Sequence, residues 1–247
     1  MSGPLSGEGR HTIASLLRAG RPVRACVLAG LVTVSFTVAA CTADPSGDSM
    51  AGSSAEGQPD PMAVRPFTID IPDDVLTDLR DRLSRTRLPE ESPGTGWDQG
   101  ANRAYVAELL AYWEDEFDWR AQERRLNGFD HFKTMIDGLD VHFIHQRSPE
   151  PNAIPLLLTH GWPGSFVEFA NLIGPLTDPA AYGGDAADAF HVVIPSLPGY
   201  GFSGKPAETG YNPERMADVL AGLMERLGYD RYGAQGGNWG AIISRTL

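Results

Sequence analysis

Six residues near the end of the chain, Gln235-Gly236-Gly237-Asn238-Trp239-Gly240, constrain its fold more than any other segment. Small residues on both sides of one larger apex residue mark a sharp turn from a strand into a helix. The backbone there folds closely over itself and leaves little room for side chains. Such a turn lifts the apex side chain clear of the sheet and aims it at whatever lies above the strand ends. The apex is Asn238, a neutral amide. A turn of this kind needs a strand before it, a helix after it and a sheet around it, so the sequence upstream should alternate strands with helices.

It does so from Pro66 onward. Phe67–Ile71 alternates and reads as a short strand. Pro72-Asp73-Asp74 suits the positive end of a helix, with Val75, Leu76, Leu79 and Leu83 as its stripe and Leu88-Pro89 as its close. A second helix is expected over 102–125, burying Val106, Leu109, Leu110, Trp113 and Phe117 on one face. His131 to Gln146 alternates around Asp137-Gly138, a hairpin signal. Ile154–Thr159 and Phe190–Pro195 are apolar runs of the kind found in buried parallel strands. Phe166–Leu176 reads as a helix. Asn212-Pro213-Glu214 opens another, as N-cap, first helical position and dipole-matched acid, and Gly228 stops it. Arg231–Gln235 is then the strand that delivers the turn. Strands and helices in alternation imply an α/β architecture with a covered parallel sheet.

The region before Pro66 reads differently. Arg10, Arg18, Arg21 and Arg24 precede an uncharged run, Ala25–Ala40, that is short for a membrane span and fits a signal-peptide core. Val38-Ala39-Ala40-Cys41 resembles a bacterial lipobox, in which Cys41 would be lipidated. The expected organisation is a leader over 1–40 and a Ser-, Gly- and Pro-rich tether over 41–65. An N-terminal segment over 66–130 and a core over 131–247 follow. The protein is then exported and touches the membrane only through Cys41. If synthesis starts at Met62, it is cytoplasmic instead. Cys26 and Cys41 are the only cysteines, and the net charge is −12. The first leaves the globular part without a disulfide, and the second disfavours a nucleic-acid partner. No His, Cys or carboxylate spacing suggests a metal site, and no cofactor is expected.

Four motifs occur in order: His160-Gly161-Trp162-Pro163-Gly164-Ser165, Pro195-Ser196-Leu197-Pro198-Gly199-Tyr200-Gly201-Phe202-Ser203, Leu227-Gly228-Tyr229-Asp230-Arg231-Tyr232, and the Asn238 turn. Together they resemble the microsomal-type epoxide hydrolases, and Pro66 to Arg125 resembles that family's N-terminal meander. The resemblance implies the N-terminal part of an α/β-hydrolase fold, from the meander through the first strands to the nucleophile elbow. It also implies a small-molecule epoxide substrate, converted with water into a vicinal diol through an aspartyl ester. In that chemistry an Asp at the elbow attacks the ring, and a His oriented by an acid activates water to cleave the ester. Backbone N–H groups stabilise the oxyanion. Carried onto this chain, the nucleophile position is Asn238, and the oxyanion donors are the amides of Trp162 and Trp239. His160, Gly161, Pro163, Gly236, Gly237 and Gly240 shape the two loops.

Two departures from the family pattern bear on activity. Asn238 stands where the family has Asp, and the family's lid, acid and general-base His all follow the elbow. The expectation is an inactive chain, truncated in its C-terminal half, that exposes a parallel sheet edge and aggregates on expression. Deamidation of Asn238 would restore the carboxylate, and the bulk of Trp239 is expected to slow it. His131, His142, His145 and His191 are expected to pack or face solvent, and His11 falls in the leader. Ser165 and Ser203 lack the elbow's flanking glycines and read as loop residues. One alternative keeps the scaffold without the chemistry, as a lipid-tethered binding module. Another is a haloalkane dehalogenase-like hydrolase, which the meander disfavours.

Overall fold

A six-stranded sheet in the order β1-β2-β3-β5-β4-β6 organises the protein. The computed structural model describes residue 60 and residues 62–247. The expected leader, Cys41 and most of the tether lie outside the described residues. The strands are β1 (Arg65–Pro66), β2 (His131–Ile136), β3 (Leu139–Gln146), β4 (Ile154–Thr159), β5 (Phe190–Pro195) and β6 (Gly233–Gly236). β1, β2, β3 and β5 pair antiparallel in sequence, while β4 runs parallel to both β5 and β6. In the β2–β3 hairpin Ile136 faces Leu139, which leaves a two-residue turn. Asp137 and Gly138 take positive φ there, 50° and 73°, as a turn matched to the twist of its strands demands.

β4 and β5 read as nearly unbroken apolar runs because both sheet faces are covered there. Alternate residues point to opposite sides. Phe143, Leu157 and Val193 meet Leu220, Leu223 and Met224 of α5 (Pro213–Arg226), and Ile243 of α6 (Trp239–Thr246). Ile144, Leu158, Val192 and Ile194 meet Ile69, Leu126, Phe166, Phe169 and Ile173 on the other face. The helix Pro213–Arg226 follows the sequence rules closely. Asn212 caps it by accepting from the Arg215 N–H at 3.0 Å, and Gly228 ends it at φ 80°.

Local structure departs from expectation in four places, three of them in the N-terminal segment. Phe67–Ile71 is not a strand. Only Arg65–Pro66 pairs with β2; beyond Phe67, side chains take over the backbone bonds. Asn127 accepts from Ile69 N–H at 2.9 Å and donates to Ile69 C=O at 2.8 Å, and Glu123 accepts from Ile71 N–H at 2.8 Å. The first helix, α1 (Asp73–Ser84), stops short of Leu88, because Ser84, Arg85 and Thr86 turn their side chains onto its last carbonyls. The single helix expected over 102–125 is two, α2 (Arg103–Asp115) and α3 (Trp119–Leu126). Asp118 interrupts it by capping α3, accepting from Ala121 N–H at 2.9 Å. Nor is α2 a core helix: none of its residues is buried, and Leu109 and Trp113 are 50% and 45% exposed. The helix expected over Phe166–Leu176 is a 3₁₀ turn, Phe166–Phe169, followed by α4 (Ile173–Thr177). Pro175 explains the break, since it has no N–H for a continuous helix and its ring would meet the carbonyl four residues before it.

On β2 and β3, two histidines expected to pack or face solvent form one buried polar chain. His131 Nε2 faces the Leu126 carbonyl at 2.8 Å, so it carries a proton. His131 Nδ1 then accepts from His142 Nε2 at 2.9 Å, and His142 Nδ1 accepts from Ser196 Oγ at 2.9 Å. Ser203 closes the set: it donates to Ser196 C=O at 2.7 Å and accepts from His142 N–H at 2.9 Å. Each bond holds one proton, so a further proton on His131 Nδ1 would face the one on His142 Nε2. Burial and the neighbouring His131 and Lys133 push His142 down to about 3, and burial lowers His131 as well.

Both rings are neutral in the fold where the unfolded chain binds protons, so their contribution is full above about pH 6.5 and declines as pH falls below it, for His142 down to about 3. The expected slope is about 1.4 kcal/mol per pH unit for each titrating ring. Urea melts across that range should show it, with a shallower slope in His142→Gln; a flat profile would contradict the assignment.

Candidate active site

β4 and β6 are parallel neighbours, with Thr159 opposite Gly236. Their carboxyl ends therefore deliver two loops side by side, the usual place for a site in an open α/β sheet. The loop after β4 is His160-Gly161-Trp162-Pro163. The loop after β6 is Gly237-Asn238, and α6 (Trp239–Thr246) starts directly behind it.

Asn238 occupies the apex at φ 55° and ψ −123°, a region that residues with side chains rarely enter. Its Oδ1 accepts from the Trp239 N–H at 2.7 Å and from the Trp162 N–H at 3.1 Å. Both partners are donors, so the amide oxygen faces them and Nδ2 faces the other way. Two N–H groups thus converge on one oxygen at the distances that stabilise a developing negative charge. The first amide belongs to the first residue of α6 and has no carbonyl partner within the helix.

The loops approach each other too closely for side chains. A Cβ on Gly161 would lie 2.6 Å from Asn238 Cβ and 2.8 Å from Oδ1. One on Gly240 would strike the Thr159 carbonyl and lie 2.7 Å from that of His160, and one on Gly236 would meet Gly240 and lie 2.7 Å from the Thr159 carbonyl. Gly237 is different: a Cβ there meets nothing within 4 Å. Its smallness is not what the turn requires.

His160 is fully buried and does more than fill space. Its Nε2 accepts from the Leu197 N–H at 3.1 Å, which puts the ring proton on Nδ1; Nδ1 donates to the Gly161 carbonyl at 3.0 Å. That carbonyl and the Trp162 N–H belong to the same planar peptide, so fixing one end aims the other at Asn238. The second motif, through Leu197, thereby braces the first. Burial lowers the affinity of His160 for a second proton. The sequence held no sign of this brace beyond the order of the two motifs. Pro163 follows a cis peptide bond, and Trp162 and Trp239 are 62% and 46% exposed beside the apex.

Other predicted residues stand apart. Ser165 caps the Phe166–Phe169 turn, and Ser203 belongs to the buried histidine chain. His145 bonds Tyr229 at 2.9 Å, and His191 accepts from the Ser148 N–H at 3.0 Å. Among the described residues, no histidine bonds Asn238, and no cluster of His, Cys, Asp and Glu is arranged to hold a metal ion.

Comparison with known proteins matches residues 64–169 to the family described as "Epoxide hydrolase N terminus" and residues 154–247 to "alpha/beta hydrolase fold". A "Putative epoxide hydrolase" of Stigmatella aurantiaca (strain DW4/3-1) is 52% identical over 184 residues, 74% of this chain and 42% of that protein. "Epoxide hydrolase 1" of Oryctolagus cuniculus is 42% identical over 189 residues, 75% of this chain and 42% of its own length. Among solved structures, juvenile hormone epoxide hydrolase from the silkworm Bombyx mori superposes with a TM-score of 0.68 at 35% identity, covering 75% of this chain and 49% of that one. The chain thus spans about 42% of the length of these curated relatives. The meander, the sheet order, the elbow and these likenesses agree: the chain belongs to the epoxide hydrolase family, on the α/β-hydrolase fold.

Proposed function

We propose that this chain carries the nucleophile half of an epoxide-opening site, built for attack from position 238 and oxyanion stabilisation by the amides of Trp162 and Trp239. The observation that carries this reading is the pair of N–H groups converging on Asn238 Oδ1. With a carboxylate at the apex, one oxygen would stay in that cradle while the other faced out to attack a ring carbon. The carbonyl oxygen of the resulting ester would lie in the cradle, ready for stabilisation when water cleaves it. With Asn238 the outward group is an amide nitrogen, whose lone pair is conjugated and does not attack. The substrate is a small organic epoxide and the product of the complete reaction a vicinal diol.

Epoxide consumption is the test. The Asn238→Asp chain, given excess styrene oxide, should consume about one equivalent per chain and then stop, because none of the described histidines stands ready to activate water. The Asn238 chain should consume none. Sustained diol formation by the Asn238 chain would overturn the proposal. A second reading rests on the outward Nδ2: a neutral donor beside two exposed tryptophans can hold an oxygen-bearing ligand without attacking it. Saturable diol binding to the Asn238 chain, lost in Asn238→Ala, would favour that reading.

We also propose export and lipidation at Cys41, supported by the basic lead, the apolar run and the Val38–Cys41 motif. Labelled palmitate should enter the wild-type protein in a bacterial host and fail to enter Cys41→Ser; equal labelling would refute it.

A further inference from the structure

We propose that the Asn238–Trp239 peptide is a self-modification site, at which the Trp239 amide nitrogen closes on Asn238 Cγ to give a succinimide that water opens to aspartate. A bond forms between that nitrogen and Cγ; the carboxamide nitrogen leaves as ammonia, taking the proton from the Trp239 amide. Water then adds across one of the two imide bonds. Attack at Cγ gives aspartate, and attack at the backbone carbonyl gives isoaspartate. The only co-reactant is water, which reaches an exposed apex.

Ring geometry carries the proposal. A five-membered ring closed through the Cα–C bond needs Cβ and the next nitrogen nearly eclipsed about that bond. In an L residue Cβ sits about 120° counterclockwise from the backbone nitrogen, viewed along Cα to C, so eclipse comes at ψ near about −120°. Asn238 is held at ψ −123°. A free chain seldom combines this ψ with positive φ, but the elbow holds it permanently. The attacking nitrogen already touches Asn238 Oδ1 at 2.7 Å, one bond from the carbon it must reach, and no helix carbonyl competes for it. The Trp162 N–H, at 3.1 Å from the same oxygen, stabilises the charge that gathers there during attack.

Asn127-Gly128 provides the internal contrast. By sequence it is the more reactive pair, because glycine presents no side chain to hinder approach. In the fold Asn127 has ψ −3°, far from eclipse, and its amide is tied to both the N–H and the C=O of Ile69. The bulk of Trp239 hinders a flexible chain from reaching the reactive conformation, but here the turn has reached it already. Structure and sequence therefore rank the two sites in opposite order. Polarisation of the Cγ carbonyl by Trp162 also directs water to Cγ, so aspartate should exceed isoaspartate at position 238.

The modification needs neither an epoxide nor a general base, and is read by mass. It therefore fails or holds separately from the hydrolase reading, although its main product is the carboxylate that reading requires. The test is peptide mapping of the full chain aged in neutral buffer, folded and in urea. Folded, position 238 should gain one mass unit about tenfold faster than position 127, and in urea the order should reverse. Asn238→Gln, which would need a larger ring, should abolish conversion at 238 and leave position 127 unchanged. Position 127 outrunning 238 in the folded chain, or equal rates at 238 folded and unfolded, would overturn the proposal. So would an excess of isoaspartate over aspartate at 238 in the folded chain.

Discussion

Asn238→Asp should raise the rate of covalent epoxide opening by about 10⁴-fold or more, the scale of effect seen when a nucleophile is supplied or removed. The substitution exchanges an amide NH₂ for an oxygen of nearly the same size, so the turn has no reason to move. Oδ1 keeps the amides of Trp162 and Trp239, and the new oxygen takes the outward place of Nδ2. Two N–H bonds to the charged form favour ionisation, so the carboxylate is present at neutral pH. The positive end of α6 acts in the same direction. The apex and both N–H donors are already in place and only the attacking atom of this first step is wrong, which is why one substitution should have so large an effect.

Gly240→Ala should cost about 3 kcal/mol or more of stability, whereas Gly237→Ala should cost no more than about 1 kcal/mol. The first places a methyl group against the carbonyls of Thr159 and His160, at the closest approach of α6 to β4. Relief would require moving the helix, and with it the Trp239 N–H, or moving the strand end that carries the Trp162 loop. Neither is a flexible side-chain tip. The second places its methyl in open space. Urea denaturation of the two variants separates close approach from a general need for glycine. Equal losses would show that the elbow is not packed as described.

The sheet was largely legible because its signals are local and repetitive. Alternation around Asp137-Gly138 specified the hairpin, and the apolar runs of β4 and β5 marked strands covered on both faces. Asn212-Pro213-Glu214 and Gly228 bracketed one helix with chemistry that few other structures use. The meander was less legible because its backbone is satisfied by distant side chains. Nothing in Phe67–Ile71 shows that Asn127 and Glu123 will replace a strand partner, and the stripe of α2 looks the same whether or not anything covers it. The apex at Asn238 and the need for small residues on either side of it were readable from the Gly236-Gly237-Asn238-Trp239-Gly240 spacing, whereas the Trp162 and Trp239 amides entered only through the family resemblance. The brace through His160 was not. It depends on which ring nitrogen carries the proton, and that is fixed by Leu197, a residue 37 positions away.

Peptide-level mass spectrometry of the Asn238→Asp chain after exposure to styrene oxide tests most directly whether the apex of this turn is the point of attack. The account predicts an ester on the peptide spanning residue 238, hydroxylamine-labile, and absent from the Asn238 chain handled identically before any deamidation. Labelling instead at another carboxylate, such as Glu168 beside Gly164, with position 238 untouched, would contradict it.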